Sequence, residues 1–318
     1  MAGKSAFAIG GAATLVLATA AASAQPRIPA ANCARTSTGY APLTDLKRGR
    51  YHGFMGGLYA NGRNAPSARY LKRGVAAMRK VKPLDPDGSP SPAGKVVLLS
   101  IGMSNTTQEF SAFKQAADRD PRKSPQVVIV DGAQGGQDAE RIKTTTAPFW
   151  TVVDGRLAAA GVSARQVQVV WLKEAIAGEN EPFPADARRL QGDLRAILGI
   201  MRERYPNVRL VYLSSRIYAG YATTALNPEP FAYQSGFAVK WTVQDRATGR
   251  IAGAWVGWGP YLWTDGTRGR SDGLKWACSD VGPDGTHPSP SGAQKVANLL
   301  LRFFTSNATA KRWFVKRS

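Results

Sequence analysis

The chain has 318 residues, 42 Lys and Arg against 22 Asp and Glu, and a formal charge of +20. Two histidines and two cysteines far apart in sequence offer no metal-ligand set, and no cofactor motif is present. The charge favours polyanions such as acidic polysaccharide, but no long Lys/Arg run or nucleic-acid motif accompanies it, so a specific nucleic-acid partner is not expected.

Residues 1–24 read as a secretory signal peptide: Lys4, a small apolar stretch from Ala6 to Ala21, then Ala22-Ser23-Ala24 ahead of Gln25. A secreted or periplasmic location follows, and with Lys4 removed +19 of the +20 remains. No later segment has the length of apolar residues that spans a membrane. Residues 25–94 read as an arm wrapping the core, with too few apolar residues to bury a core of their own. The arm holds a Gly-rich loop over 53–62, a helical stretch from Ser67 to Lys80, and a run of turn residues from Asp85 to Gly94.

From Lys95 onward, apolar runs alternate with amphipathic segments. Strands are expected at Val96–Ile101, Val127–Val130, Val167–Leu172 and Leu210–Leu213, with an aromatic fifth at Ala254–Trp258. Helices are expected after Ser104, over Asp186–Arg204, over Pro230–Asp245, and from Pro290 with Ser289 as cap. This alternation implies an α/β fold, a three-layer α/β/α sandwich with a parallel, flavodoxin-like sheet of about five strands. Ligands of such sheets bind at the carboxyl ends of the strands, where Ser104, Gly135-Gly136 and Lys173 all fall.

Cys33 and Cys278 are an even pair in an exported chain, which suggests a disulfide; two buried thiols are the alternative. A serine hydroxyl needs a base within reach. His287, held on a loop by Pro288 and three residues after Asp284, is the candidate base, and Asp284 the candidate orienter. His52 is the rival base and Asp131 the rival orienter. Trp255, Trp258, Tyr261 and Trp263 either stack on sugar rings or pack the core. Glu174, Glu179 and Glu181 are too local to form a glycosidase carboxylate pair.

Together these segments resemble the SGNH (GDSL-type) hydrolase superfamily. Gly102-Met103-Ser104-Asn105 is similar to the Gly-Gln-Ser-Asn block I of its carbohydrate acetylesterases, and Asp284-Gly285-Thr286-His287 matches block V. Asp131 to Gln137 supplies the block II glycine. Block III departs: the family's asparagine is replaced by Lys173 after Trp171-Leu172, or shifted to Asn180 in Gly178-Glu179-Asn180. The resemblance makes 95–318 a hydrolase domain with Ser104, Asp284 and His287 as triad. It implies an oxyanion hole from the amides of Ser104 and Gly136 or Gly135, with Asn180 or Lys173 as third donor. The expected activity is cofactor-free hydrolysis of an O-acetyl or other short acyl ester, on a small molecule or an acylated polysaccharide. An acyltransferase using the same triad and a non-catalytic polysaccharide-binding envelope protein are the alternatives.

Overall fold

The computed structural model describes residues 1–3 and 30–316. Beyond its first three residues, the expected signal sequence 1–24 lies outside the described residues. Five strands form one parallel sheet: β1 (Val96–Gly102), β2 (Val127–Asp131), β3 (Val167–Lys173), β4 (Leu210–Leu213) and β5 (Trp255–Trp258). Their order is β2-β1-β3-β4-β5, the flavodoxin-like arrangement. All seven residues of β1 and of β3 are buried, which is why both read as continuous apolar runs.

The longer helices are α1 (Ala68–Met78), α2 (Ser104–Arg119), α3 (Pro148–Ala159), α4 (Ala185–Arg204), α5 (Phe231–Thr248) and α6 (Pro290–Ser306). Chain crossovers leave β1 in both directions, and right-handed connections then put helices on both faces of the sheet. α2 packs on α6, and α4 on α5. Ser289 caps α6 through Gly292 N–H, with Pro290 at the first helical position. α5 runs past Asp245 to Thr248, where Gly249 in the left-handed region ends it. α3 is a helix beyond the sequence expectation, burying Phe149, Trp150, Val153 and Leu157.

α1 lies against β5, while residues 82–92 cross the amino ends of β3 and β2, where Gln168 Nε2 donates to Lys82 O at 2.7 Å and Gln126 Nε2 to Pro92 O at 2.6 Å. Tyr70 Oη of α1 donates to Val256 O at 2.7 Å, and Trp255 Nε1 donates to Tyr70 O at 3.1 Å. Arg50–Tyr51 and Phe54–Met55 form a small antiparallel ladder in the Gly-rich loop. Cys33 and Cys278 are disulfide-bonded across 245 residues. No helix among the described residues is long and apolar enough to cross a membrane.

Candidate active site

β1 and β3 are adjacent, and the connections leave them on opposite sides, so their carboxyl ends flank the switch point where such sheets bind ligands. Ser104 is the first residue of α2, directly after β1. Gly102 is needed there for space: a Cβ would lie 2.4 Å from both Lys173 O and Thr106 Oγ1. Thr107 N–H is the first amide of α2 to bond, to Met103 O at 3.1 Å. The Ser104, Asn105 and Thr106 amides precede it at the positive end of the helix and have no intrahelical acceptor.

His287 sits on a closed loop. Gly282 N–H donates to His287 O at 2.7 Å, and Val281 bridges Pro288. Gly285, at φ +66°, makes the turn, and a Cβ there would meet Tyr221 O at 1.9 Å. The loop brings His287 Nε2 to 2.7 Å from Ser104 Oγ and Nδ1 to 2.5 Å from Asp284 Oδ2. With its proton on Nδ1, the ring donates to Asp284 and accepts from Ser104. The Thr286 and His287 backbone amides each donate to Asp284 Oδ1 at 3.0 Å. Burial pushes the Asp284 carboxyl up, but the hydrogen bonds from His287 and the two amides outweigh it and hold the group at about 2.

Asn105 is a functional neighbour that sequence reasoning left without a role. It is buried, and its Nδ2 donates to Thr286 O at 2.9 Å, tying the start of α2 to the histidine loop. Its place beside Ser104 in the block I motif was the available signal.

Of the oxyanion candidates, the Gly135 backbone lies beside Ser104. A Cβ on Gly135 would lie 3.9 Å from Ser104 Cβ, and Gly136 has φ +70° with open space around it. Among the described residues neither glycine amide has a hydrogen-bond acceptor, whereas Gln134 N–H is committed to Gly102 O at 2.9 Å.

Lys173 is not free to act as an oxyanion donor. It is fully buried, and its Nζ lies 2.8 Å and 2.7 Å from the two Glu109 carboxylate oxygens of α2. Burial pushes the Glu109 carboxyl up and the Lys173 ammonium down; their mutual attraction opposes both shifts. Asn180 is exposed, just past the turn at 177–178, and its side chain makes no hydrogen bond among the described residues. Asp131 is taken up by Ser100, Thr107 and Ser111 hydroxyls at 2.5, 2.6 and 2.9 Å, not by the histidine. His52 is exposed and packs on Tyr51 and Phe183.

The aromatic cluster packs the core. Trp255, Trp258, Tyr261 and Trp263 are all buried, and Trp263 Nε1 donates to Glu229 at 2.7 Å. Glu174 and Glu179 are buried, while Glu181 is exposed. Burial raises Glu174 well above its ordinary value, Glu179 to about 8 and Glu229 to about 7. Arg216, after β4, is fully buried, and among the described residues none of its guanidinium nitrogens has a hydrogen-bond partner. Burial pushes it down, while Glu109, Glu179, Glu229 and Asp284 favour its charge. A cationic residue three positions past an apolar strand was the signal for it.

No family model matches the chain, and no curated protein matches it. Solved structures with a similar fold include the lipopolysaccharide acetyltransferase periplasmic domain of Salmonella ser. Paratyphi A. It is 14% identical with a TM-score of 0.39, over 75% of this chain and 97% of that one. An acetyl-xylooligosaccharide esterase mutant from Geobacillus is 16% identical with a TM-score of 0.40, over 70% and 97%. A carbohydrate esterase family 2 enzyme from Corynascus with its carbohydrate-binding domain is 15% identical with a TM-score of 0.37, over 67% and 66%.

Proposed function

We propose that the chain is an exported serine esterase that removes a short acyl group, an O-acetyl group first of all, from a carbohydrate. The observation that carries this reading is the unbroken relay Ser104 Oγ, His287 Nε2, His287 Nδ1, Asp284 Oδ2. The resemblance to SGNH hydrolases supports it further: block I follows β1, the block II glycines follow β2, and block V meets block I across 183 residues.

Ser104 Oγ attacks the ester carbonyl while its proton passes to His287 Nε2. The Ser104 amide and a Gly135 or Gly136 amide hold the oxyanion. The alcohol leaves with the proton from His287, and water, deprotonated by the same ring, releases the acid. Asp284 stays ionised throughout and holds the ring in its productive tautomer. The disulfide supports an oxidising, extracytoplasmic compartment.

The test is hydrolysis of an aryl acetate by the wild type and Ser104→Ala, with fluorophosphonate labelling of both. Equal turnover from the two proteins ends the reading. An unlabelled wild type favours the non-catalytic alternative. Transfer to an added sugar alcohol, measured in the same assay, separates acyltransferase from hydrolase.

A further inference from the structure

The open edge of the sheet carries a feature that the triad does not use. Two neighbouring grooves meet at Arg73 on α1. One, of about 610 Å³, runs between α1 and α5 and is lined by Arg63, Arg69, Arg73 and Lys240. The other, of about 500 Å³, is lined by Arg73, Lys80, Arg202, Arg209 and Arg246. No Asp or Glu lines either groove, and none of these eight cations has an ion-pair partner among the described residues.

Several of the cations are fixed in place. Lys240 Nζ donates to Met55 O and Gly56 O at 2.6 and 2.5 Å. Arg246 donates to Ala254 O and Gly253 O at 2.7 and 2.6 Å, and Arg73 to Ala247 O at 3.2 Å. These bonds go to neutral carbonyls, so they order the side chains without neutralising them. Like charges held together raise the potential in a concave site, and a polyanion relieves that repulsion.

The grooves flank α1, which packs on the edge strand β5. Arg209 and Trp255, at the amino ends of β4 and β5, border the second groove. Tyr59 borders the first, and its hydroxyl accepts from Trp258 N–H at the carboxyl end of β5. The two grooves together run along α1 as a basic track from Arg69 to Lys80, about 16 Å at helix rise. That length suits a linear polymer with repeated charges. The Cys33–Cys278 disulfide places the protein where extracellular polymers are the polyanions at hand.

We propose that this track binds a linear acidic polysaccharide, one with carboxylate or sulfate groups along its length. Its use as an anchor for the polymer that Ser104 deacylates rests on the esterase reading; binding itself does not. Arg73 and Arg246 are already held in place, so little of their side-chain freedom is lost on association.

The experiment measures binding of a size-defined oligogalacturonate to full-length protein carrying Ser104→Ala, so catalysis plays no part. A second protein adds Arg63→Ser, Arg69→Ser, Arg73→Ser and Arg202→Ser, all exposed positions. The expected loss is about 30-fold in affinity, about 2 kcal/mol at 1.4 kcal/mol per tenfold, and a weaker salt dependence. With Ser104 intact, the same four changes leave aryl acetate turnover and the melting temperature unaltered. Unchanged affinity in the four-site variant overturns the proposal. So does single-stranded DNA of equal charge binding more tightly than the oligogalacturonate. Failure of the Ser104→Ala turnover test would leave the binding result standing.

Discussion

Asp284→Asn is the most discriminating single change in the relay. In the wild type, Asp284 Oδ1 accepts from two backbone amides and Oδ2 accepts from His287 Nδ1. An asparagine has one acceptor oxygen, and the two amides claim it. Its Nδ2 then faces His287 Nδ1 as a donor, so the ring must accept there and carry its proton on Nε2. That proton points at Ser104 Oγ, and the base is lost. In the general Ser-His-Asp template the same swap lowers kcat about 10⁴-fold, or about 5.4 kcal/mol at 1.36 kcal/mol per tenfold. Here the two competing amides enforce the wrong orientation, so a loss of about that size is expected in kcat for an aryl acetate at pH 7, with the fold retained by circular dichroism. A loss below about tenfold would refute the orienting role of Asp284. The same residue sets a pH signature in stability. Its folded pKa, about 2, lies below the ordinary value of about 3.9. Its contribution is therefore present above the ordinary value and lost as pH falls from there through about 2. Asp284→Asn flattens that part of the urea-midpoint profile, and an unaltered acid limb contradicts the assignment.

Three further changes probe the scaffold. Asn105→Ala leaves Thr286 O without its buried donor; a loss of about 1–3 kcal/mol in urea unfolding is expected, with kcat falling more than KM rises because the histidine loop is freed. Lys173→Met strands Glu109 in the core and should cost about 3–5 kcal/mol. Adding Glu109→Leu recovers at least half of that, and a double-mutant cycle without coupling refutes the pairing. Replacing Cys33 and Cys278 by serine opens a loop of 245 residues, for which chain entropy gives about 5 kcal/mol of lost stability; a midpoint unchanged from the oxidised wild type argues against the bond.

Strands and the Asp284–His287 pair were the legible parts because both are written locally. Each strand is a short apolar run between turn residues, and Asp284-Gly285-Thr286-His287 carries its base, orienter and turn glycine within four residues. What was not legible depends on which partner lies across the fold. Lys173 follows an apolar strand, so sequence places it at the ligand edge; only the packing of α2 on the sheet reveals Glu109 beside it. The tryptophans before the catalytic turn have the composition of a sugar platform, yet residues 30–94 cover them: Leu58 O accepts from Trp258, and Leu43 N–H donates to Tyr261. α3 was missed although its buried residues recur at helical spacing, since the run Pro148-Phe149-Trp150 also suits a buried strand.

Lys173 stands where the SGNH resemblance expects an asparagine, and its contacts with the helix that carries Ser104 account for it. Ser104, Thr106 and Glu109 all belong to the first two turns of α2. Thr106 Oγ1 donates to Lys173 O at 2.7 Å, and Glu109 holds Lys173 Nζ. The end of β3 is thereby fastened to the nucleophile helix by its backbone and its side chain together. The lysine side chain reaches inward and fixes the helix that carries Ser104. Under the proposed mechanism, oxyanion stabilisation then falls on backbone amides alone, those of Ser104 and of Gly135 or Gly136. Removing one donor from such a site typically costs 10²–10³ in kcat, so a hole with two amides and no side chain suits a reactive ester of a small acyl group better than an amide. That preference is consistent with acetyl esters as the substrate class and is measurable as the ratio of aryl acetate to aryl acetamide turnover.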